Sequence, residues 1–217
     1  MPDLPPPLPP GERTVVQLLA ETIRAYGAQF WRLLPLGLPV AVATQIGLGR
    51  SDDLDTIALL ALAPAFALAF VVACRLVVGG RITPRSYAIA LIIFLPVPIL
   101  ERLYVLPALA WLALFGLGVP ASMVEQLSFR ETLARGRRLG GADYGHALGS
   151  ICTLAILVFL SERTLIVLLR TQSENSARAA YLLADIVLTP LLYVGGALLY
   201  LDQAARTDST LAVGDPV

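Results

Sequence analysis

The amino-acid sequence predicts an all-α, polytopic integral membrane protein with about six transmembrane helices and two amphipathic interfacial helices. Three observations carry that expectation. Hydrophobic residues make up 57% of the chain and charged residues only 15%, against about 25% charged in a soluble domain. Apolar runs close to the length of a bilayer core alternate with short polar loops. The stretch from Val119 to His146 joins two of these runs through a short arginine-rich hook.

The first eleven residues, MPDLPPPLPPG, read as a proline-rich disordered tail, which leaves residues 12–206 as one helical membrane domain and 207–217 as a disordered C-terminal tail. From Thr14 to Arg32 the apolar residues Val15, Leu19, Ile23, Tyr26 and Phe30 recur at helical spacing, predicting an amphipathic helix ahead of the first span. Leu33–Gly49 follows with 17 uncharged residues, just enough to cross roughly 30 Å at about 1.5 Å per residue. Pro35 and Pro39 lie near its start, where each removes a backbone donor.

Thr56–Cys74 is the cleanest predicted span, with Ala61, Ala65, Ala69 and Ala73 on one face where another helix can approach. Ser86–Leu100 and Tyr104–Val124 form a hairpin around Glu101 and Arg102, both runs interrupted by proline. Ala147–Leu169 and Ala179–Leu201 complete the set, joined by the polar loop at 170–178.

Within the hook, Ser128 stands three residues before Glu131, the spacing of a reciprocal helix cap. Phe129, Leu133 and Gly136 fall on one face of the helix that this cap starts, while Arg130, Arg135, Arg137 and Arg138 crowd the remainder. Such a helix suits a charged membrane surface, with Glu125 as the ion-pair partner of a hook arginine.

Charge distribution sets the expected orientation. The net charge is zero, so no global field recruits nucleic acid. Eleven arginines fall on the side of the termini, the loop at 75–85 and the hook, against five on the other. By the positive-inside rule both termini are then cytoplasmic. Sliding the chain by 114 positions matches Leu19 with Leu133, Arg24 with Arg138, Gly27 with Gly141 and Leu34 with Leu148, and pairs Thr14 with Ser128. An internal repeat of parallel units is therefore expected.

Little in the chain points to catalysis. Cys74 and Cys152 sit in apolar runs without neighbouring metal ligands, so neither a disulfide nor a cofactor is expected. The lone His146 reads as an interfacial residue, and capping and ion pairing account for Glu131 and Glu125. The expected role is a non-catalytic membrane scaffold or accessory subunit, contacting anionic lipid headgroups or a membrane-protein partner through the hook arginines. The alternative is a small transporter or transporter subunit with its site near Asp185, a carboxylate inside the last span.

The hook positions Pro120, Glu125, Glu131, Leu133, Arg135, Arg138, Leu139 and Tyr144, the segment LLAETIRAYGAQFWRLL and the ending LLYLDQAAR resemble one bacterial family. It is named for the membrane domain of glycerophosphoryl diester phosphodiesterases, and the likeness runs from Thr14 to Arg206. Gly136 and Arg137 depart from it, standing where a small hydroxyl residue and a tryptophan are commoner. The resemblance implies the membrane part alone, without a hydrolase domain, in the bacterial cytoplasmic membrane.

Overall fold

The structure, a computed structural model, describes residues 8–49, 51–125, 127–169 and 174–213. Most of the proline-rich tail, Arg50, the start of the loop at 170–178 and the last four residues lie outside the described residues. The protein is all-α and polytopic, and the described residues contain no strand. Among the described residues five helical segments are long and apolar enough to cross a membrane: Asp53–Val77, Pro84–Leu103, Val105–Val124, Tyr144–Leu168 and Arg178–Asp208.

The first expected span is not a single helix. After α1 (Val15–Ala28) come α2 (Phe30–Leu33), a 3-10 turn at Leu34–Gly37 and α3 (Leu38–Gly47). Pro35 lies inside the 3-10 turn and Pro39 in the first turn of α3, where their missing N–H groups interrupt the helical ladder. The break is also a packing device. A Cβ on Gly37 would lie 2.5 Å from the Ile186 carbonyl oxygen, so only glycine fits there. Pro190 offers that carbonyl no helical donor, and the turn of the first segment lies against the loosened stretch of the last helix.

The remaining elements are α4 (Asp52–Val77), α5 (Pro84–Phe94), α6 (Val97–Leu103), α7 (Val105–Phe115), α8 (Gly118–Val124), α9 (Phe129–Ala142), α10 (Tyr144–Leu169) and α11 (Glu174–Val213). Prolines again mark the breaks. Pro96 and Pro98 separate α5 from α6, and Pro120 cannot bond the Gly116 carbonyl, which takes the Val119 N–H at 3.2 Å instead. The core centres on α11. Phe70, Phe94 and Tyr193 from α4, α5 and α11 meet with centroids 5.4 to 6.5 Å apart, and Gly195 and Gly196 make room for Leu154 and Phe70.

Two expectations about packing faces are corrected. On α4, Ala61 is exposed and Ala65 half-buried, whereas Ala63, Ala67, Val71 and Cys74 are fully enclosed, so the buried face is rotated away from the predicted alanine row in its first half. On α9 the buried residues are Thr132, Gly136, Leu139 and Gly140, while Phe129 is exposed. The cause is steric. A Cβ on Gly136 would stand 2.8 Å from the Gly118 backbone, and one on Gly140 2.6 Å from the Ala113 and Leu114 carbonyls. Helix α9 thus docks through its glycines onto α7 and α8 instead of lying on its Phe129 face.

The expected repeat has a structural counterpart. Helices α1 and α9 each span 14 residues at an offset of 114, and each begins with a capping box, at Thr14 and at Ser128. Their buried faces also correspond, Leu18, Thr22 and Tyr26 with Thr132, Gly136 and Gly140. The following segments diverge because Gly149 and Thr153 occupy in α10 the places of Pro35 and Pro39, and α10 continues unbroken.

Candidate functional site

The end of α11 departs most from the expected layout. The sequence places the last span's end at Leu201 and a disordered tail from 207, yet α11 continues as helix through Val213. Asp202 and Gln203, just beyond the expected end of the last span, have no exposed surface. Burial of a carboxylate requires compensating donors, and Asp202 has them. Its Oδ1 accepts the Gly11 N–H at 2.8 Å, and its Oδ2 accepts from Arg206 Nε at 3.0 Å, one helical turn away. His146 Nε2 approaches the same oxygen at 3.0 Å without hydrogen-bond alignment.

Arg206 spreads its fork over three elements. Besides Asp202 it donates through Nη1 to Asp143 Oδ2 at 3.1 Å and through Nη2 to the Arg13 carbonyl at 2.7 Å. Asp143 in turn caps α10, its Oδ1 accepting the His146 N–H at 3.1 Å, and its carbonyl accepts from Gln203 Nε2 at 3.3 Å. The segment before α1, the junction of α9 with α10, and the end of α11 are thereby tied together.

A second knot lies beside it. Arg135, only 12% exposed, pairs with Glu125 through Nε at 3.0 Å, and its Nη2 lies 3.8 Å from Asp208. Tyr200 donates its hydroxyl to Glu125 Oε1 at 3.1 Å. Glu125, Arg135 and Tyr200 thus meet in one knot, and Asp143, Asp202 and Arg206 in the other.

The other hook residues divide by role. The Ser128 N–H donates to Glu131 Oε2 at 2.9 Å, closing the capping box of α9. The Ser128 hydroxyl and N–H hold the Glu131 carboxyl below the usual carboxylate range. Arg130, Arg137 and Arg138 are exposed, and among the described residues none of them makes an ion pair. The four arginines are thus not equivalent. Arg135 is internal to the fold, whereas the other three face outward.

Asp185 lies far from this end. It is 7% exposed, with the Thr44 hydroxyl beside its carboxyl and its Oδ2 enclosed without a partner. Among the described residues Asp185 makes no ion pair.

Among the described residues, five buried side-chain polar atoms have no protein hydrogen-bond partner, and four of them belong to the polar end: Arg13 Nη1, His146 Nε2, Ser150 Oγ and Gln203 Oε1. Such groups are ordinarily satisfied by enclosed water. Among the described residues no group of three or more His, Cys, Asp and Glu side chains is placed to hold a metal ion. What this arrangement does chemically is fasten charged chain segments into a fixed platform that presents three outward arginines. Compared with known proteins, the chain matches no family model, no curated protein and no solved structure.

Proposed function

We propose that the chain is a non-catalytic membrane scaffold or accessory subunit whose arginine face contacts anionic lipid headgroups. The observation that carries this reading is the exposure of Arg130, Arg137 and Arg138 on a helix whose opposite face is locked onto α7 and α8. A rigid platform positions such charges at little further entropic cost. In this reading both termini and the platform lie on the cytoplasmic side of a bacterial inner membrane, where anionic lipid is attracted by juxtamembrane arginines. The resemblance to the phosphodiesterase membrane-domain family accords with a membrane part acting beside a separate partner.

The test uses the full chain with Gly141→Cys, a position where an added Cβ meets no atom within 4 Å. Labelling by a membrane-impermeant thiol reagent is compared in neutral and anionic vesicles on a Cys74→Ser, Cys152→Ser background. Anionic lipid should slow it, and Arg130→Gln, Arg137→Gln and Arg138→Gln together should restore the neutral-lipid rate. At about 1 kcal/mol per basic residue, the three charges contribute at most about 3 kcal/mol. Rates indifferent to both lipid charge and the arginines would reject lipid contact.

A further inference from the structure

Helices α1 and α9 occupy matching places in the repeat, yet their outward faces differ. On α1, Val16, Ala20, Ile23 and Gly27 are all exposed and recur every three or four residues, so they form one stripe. At the offset of 114 the same stripe on α9 reads Arg130, Ala134, Arg137 and Gly141, also exposed. Val16 keeps 71% and Ile23 50% of its surface uncovered. Two branched aliphatic side chains thus stand where α9 carries two arginines.

The α1 stripe starts beside the platform and runs away from it. The segment ahead of α1 is held at Asp202 through the Gly11 N–H, whereas Tyr26, in the last turn of α1, donates its hydroxyl to the Val187 carbonyl. Positions 187 and 202 of α11 are 15 residues apart, about 22 Å along the helix. Val187 lies well inside Arg178–Asp208, a segment long and apolar enough to cross a membrane. Helix α1 therefore descends alongside α11, packing on α10 as well. Its exposed residues descend with it toward the apolar layer, where an aliphatic side chain is favoured and an unpaired charge is costly. The charged flank of α1 fits that depth, because Glu21 and Arg24 neutralise each other in an ion pair. The stripe carries no hydroxyl, amide or charge, the groups that bond one helix to another within a membrane. Lipid tails are the occupant that this chemistry fits.

We propose that the Val16, Ala20, Ile23 and Gly27 face of α1 is immersed in the acyl chains of the bilayer, while its counterpart on α9 stays in the aqueous layer. The immersion of α1 does not depend on what the α9 arginines contact.

The full chain on the Cys74→Ser, Cys152→Ser background is reconstituted in neutral phosphatidylcholine vesicles, so that lipid charge plays no part. A nitroxide is attached through Ala20→Cys, Ile23→Cys or Gly27→Cys on α1 and through the matching Ala134→Cys or Gly141→Cys on α9. An added Cβ at Gly27 or Gly141 meets no atom within 4 Å, so these two variants keep the native packing. Collision of each label with molecular oxygen, which concentrates in acyl chains, is compared with collision with a water-soluble nickel chelate. The oxygen-to-nickel ratio should be several-fold higher at the three α1 positions than at the two α9 positions. Equal ratios on the two helices would overturn the immersion and place the α1 stripe in water. Dipolar broadening at Ile23→Cys that fades when labelled chain is diluted with unlabelled chain would reveal a second copy on the stripe, and would equally overturn it.

Discussion

Asp202 has no contact with solvent, so its charge is held by the Gly11 N–H and by Arg206. Removing one member of such a group leaves the others buried without compensation. Arg206→Gln should therefore destabilise the bundle by roughly 3 to 5 kcal/mol, read as a lowered unfolding midpoint in detergent. Asp202→Asn, which keeps an acceptor, should cost less, and the double variant should cost clearly less than the sum. Glu131 gives the pH-dependent case. Its folded-state carboxyl titrates below the ordinary range because Ser128 bonds the ionised form, so the cap's contribution is present above the unfolded pKa of about 4.3. It is lost as pH falls through the depressed folded value. A carboxyl carbon titration of Glu131 should show the low midpoint, and Ser128→Ala should return it to the ordinary range. These two residues also show what a sequence discloses. Ser128 and Glu131 were readable because three residues separate them, whereas 191 separate Gly11 from Asp202. The turn-spaced pair Asp202 and Arg206 was a visible local hint, but without the fold it marked only the polar end of the last span.

Helices α1 and α9 share length, cap and buried register, yet dock by different means. Helix α1 buries Leu18 and sends the Tyr26 hydroxyl to the Val187 carbonyl at 2.7 Å. Helix α9 brings glycine backbone against α7 and α8. Gly136→Ala and Gly140→Ala should accordingly cost about 1 to 3 kcal/mol each through overpacking, while Gly141→Ala should be neutral or slightly stabilising. Equal effects at all three positions in unfolding measurements would remove close packing as the explanation. On α4 the comparison is between Ala67→Leu at an enclosed position and Ala61→Leu at an exposed one, and only the first should lower the midpoint appreciably. Periodicity and caps fixed where these helices begin. The face that turns inward was less legible, because in α9 the docking residues are glycine and threonine, which a hydrophobic pattern does not mark. In α4 nearly every face is apolar and the wheel has no preferred direction.

The whole molecule sorts its loops to two ends. Gly11, Arg13, Arg135, Asp143 and Arg206 gather at one, while Asp53 pairs with Arg102 and Gln45 bonds the Arg178 carbonyl at the other. The arginine distribution anticipated this sorting because charge is excluded from the apolar core and so marks the loops. It did not show that the first crossing is broken, since the outcome depends on Pro35, Gly37 and Pro39 meeting a particular stretch of α11. Phe30 to Gly47 spans 18 residues, about 27 Å if wholly helical, which is close to a bilayer core. With the N-terminal segment tied to Asp202 and Arg206, the broken segment must carry the chain from the platform end to the start of α4. Single cysteines on the cysteine-free background test that path. Glu12→Cys and Gly141→Cys should label from one side of the membrane and Ser51→Cys from the other. If Glu12→Cys and Ser51→Cys label from the same side, α1 to α3 do not cross and the paired ends of the chain are separated by the membrane, which the Gly11–Asp202 hydrogen bond forbids.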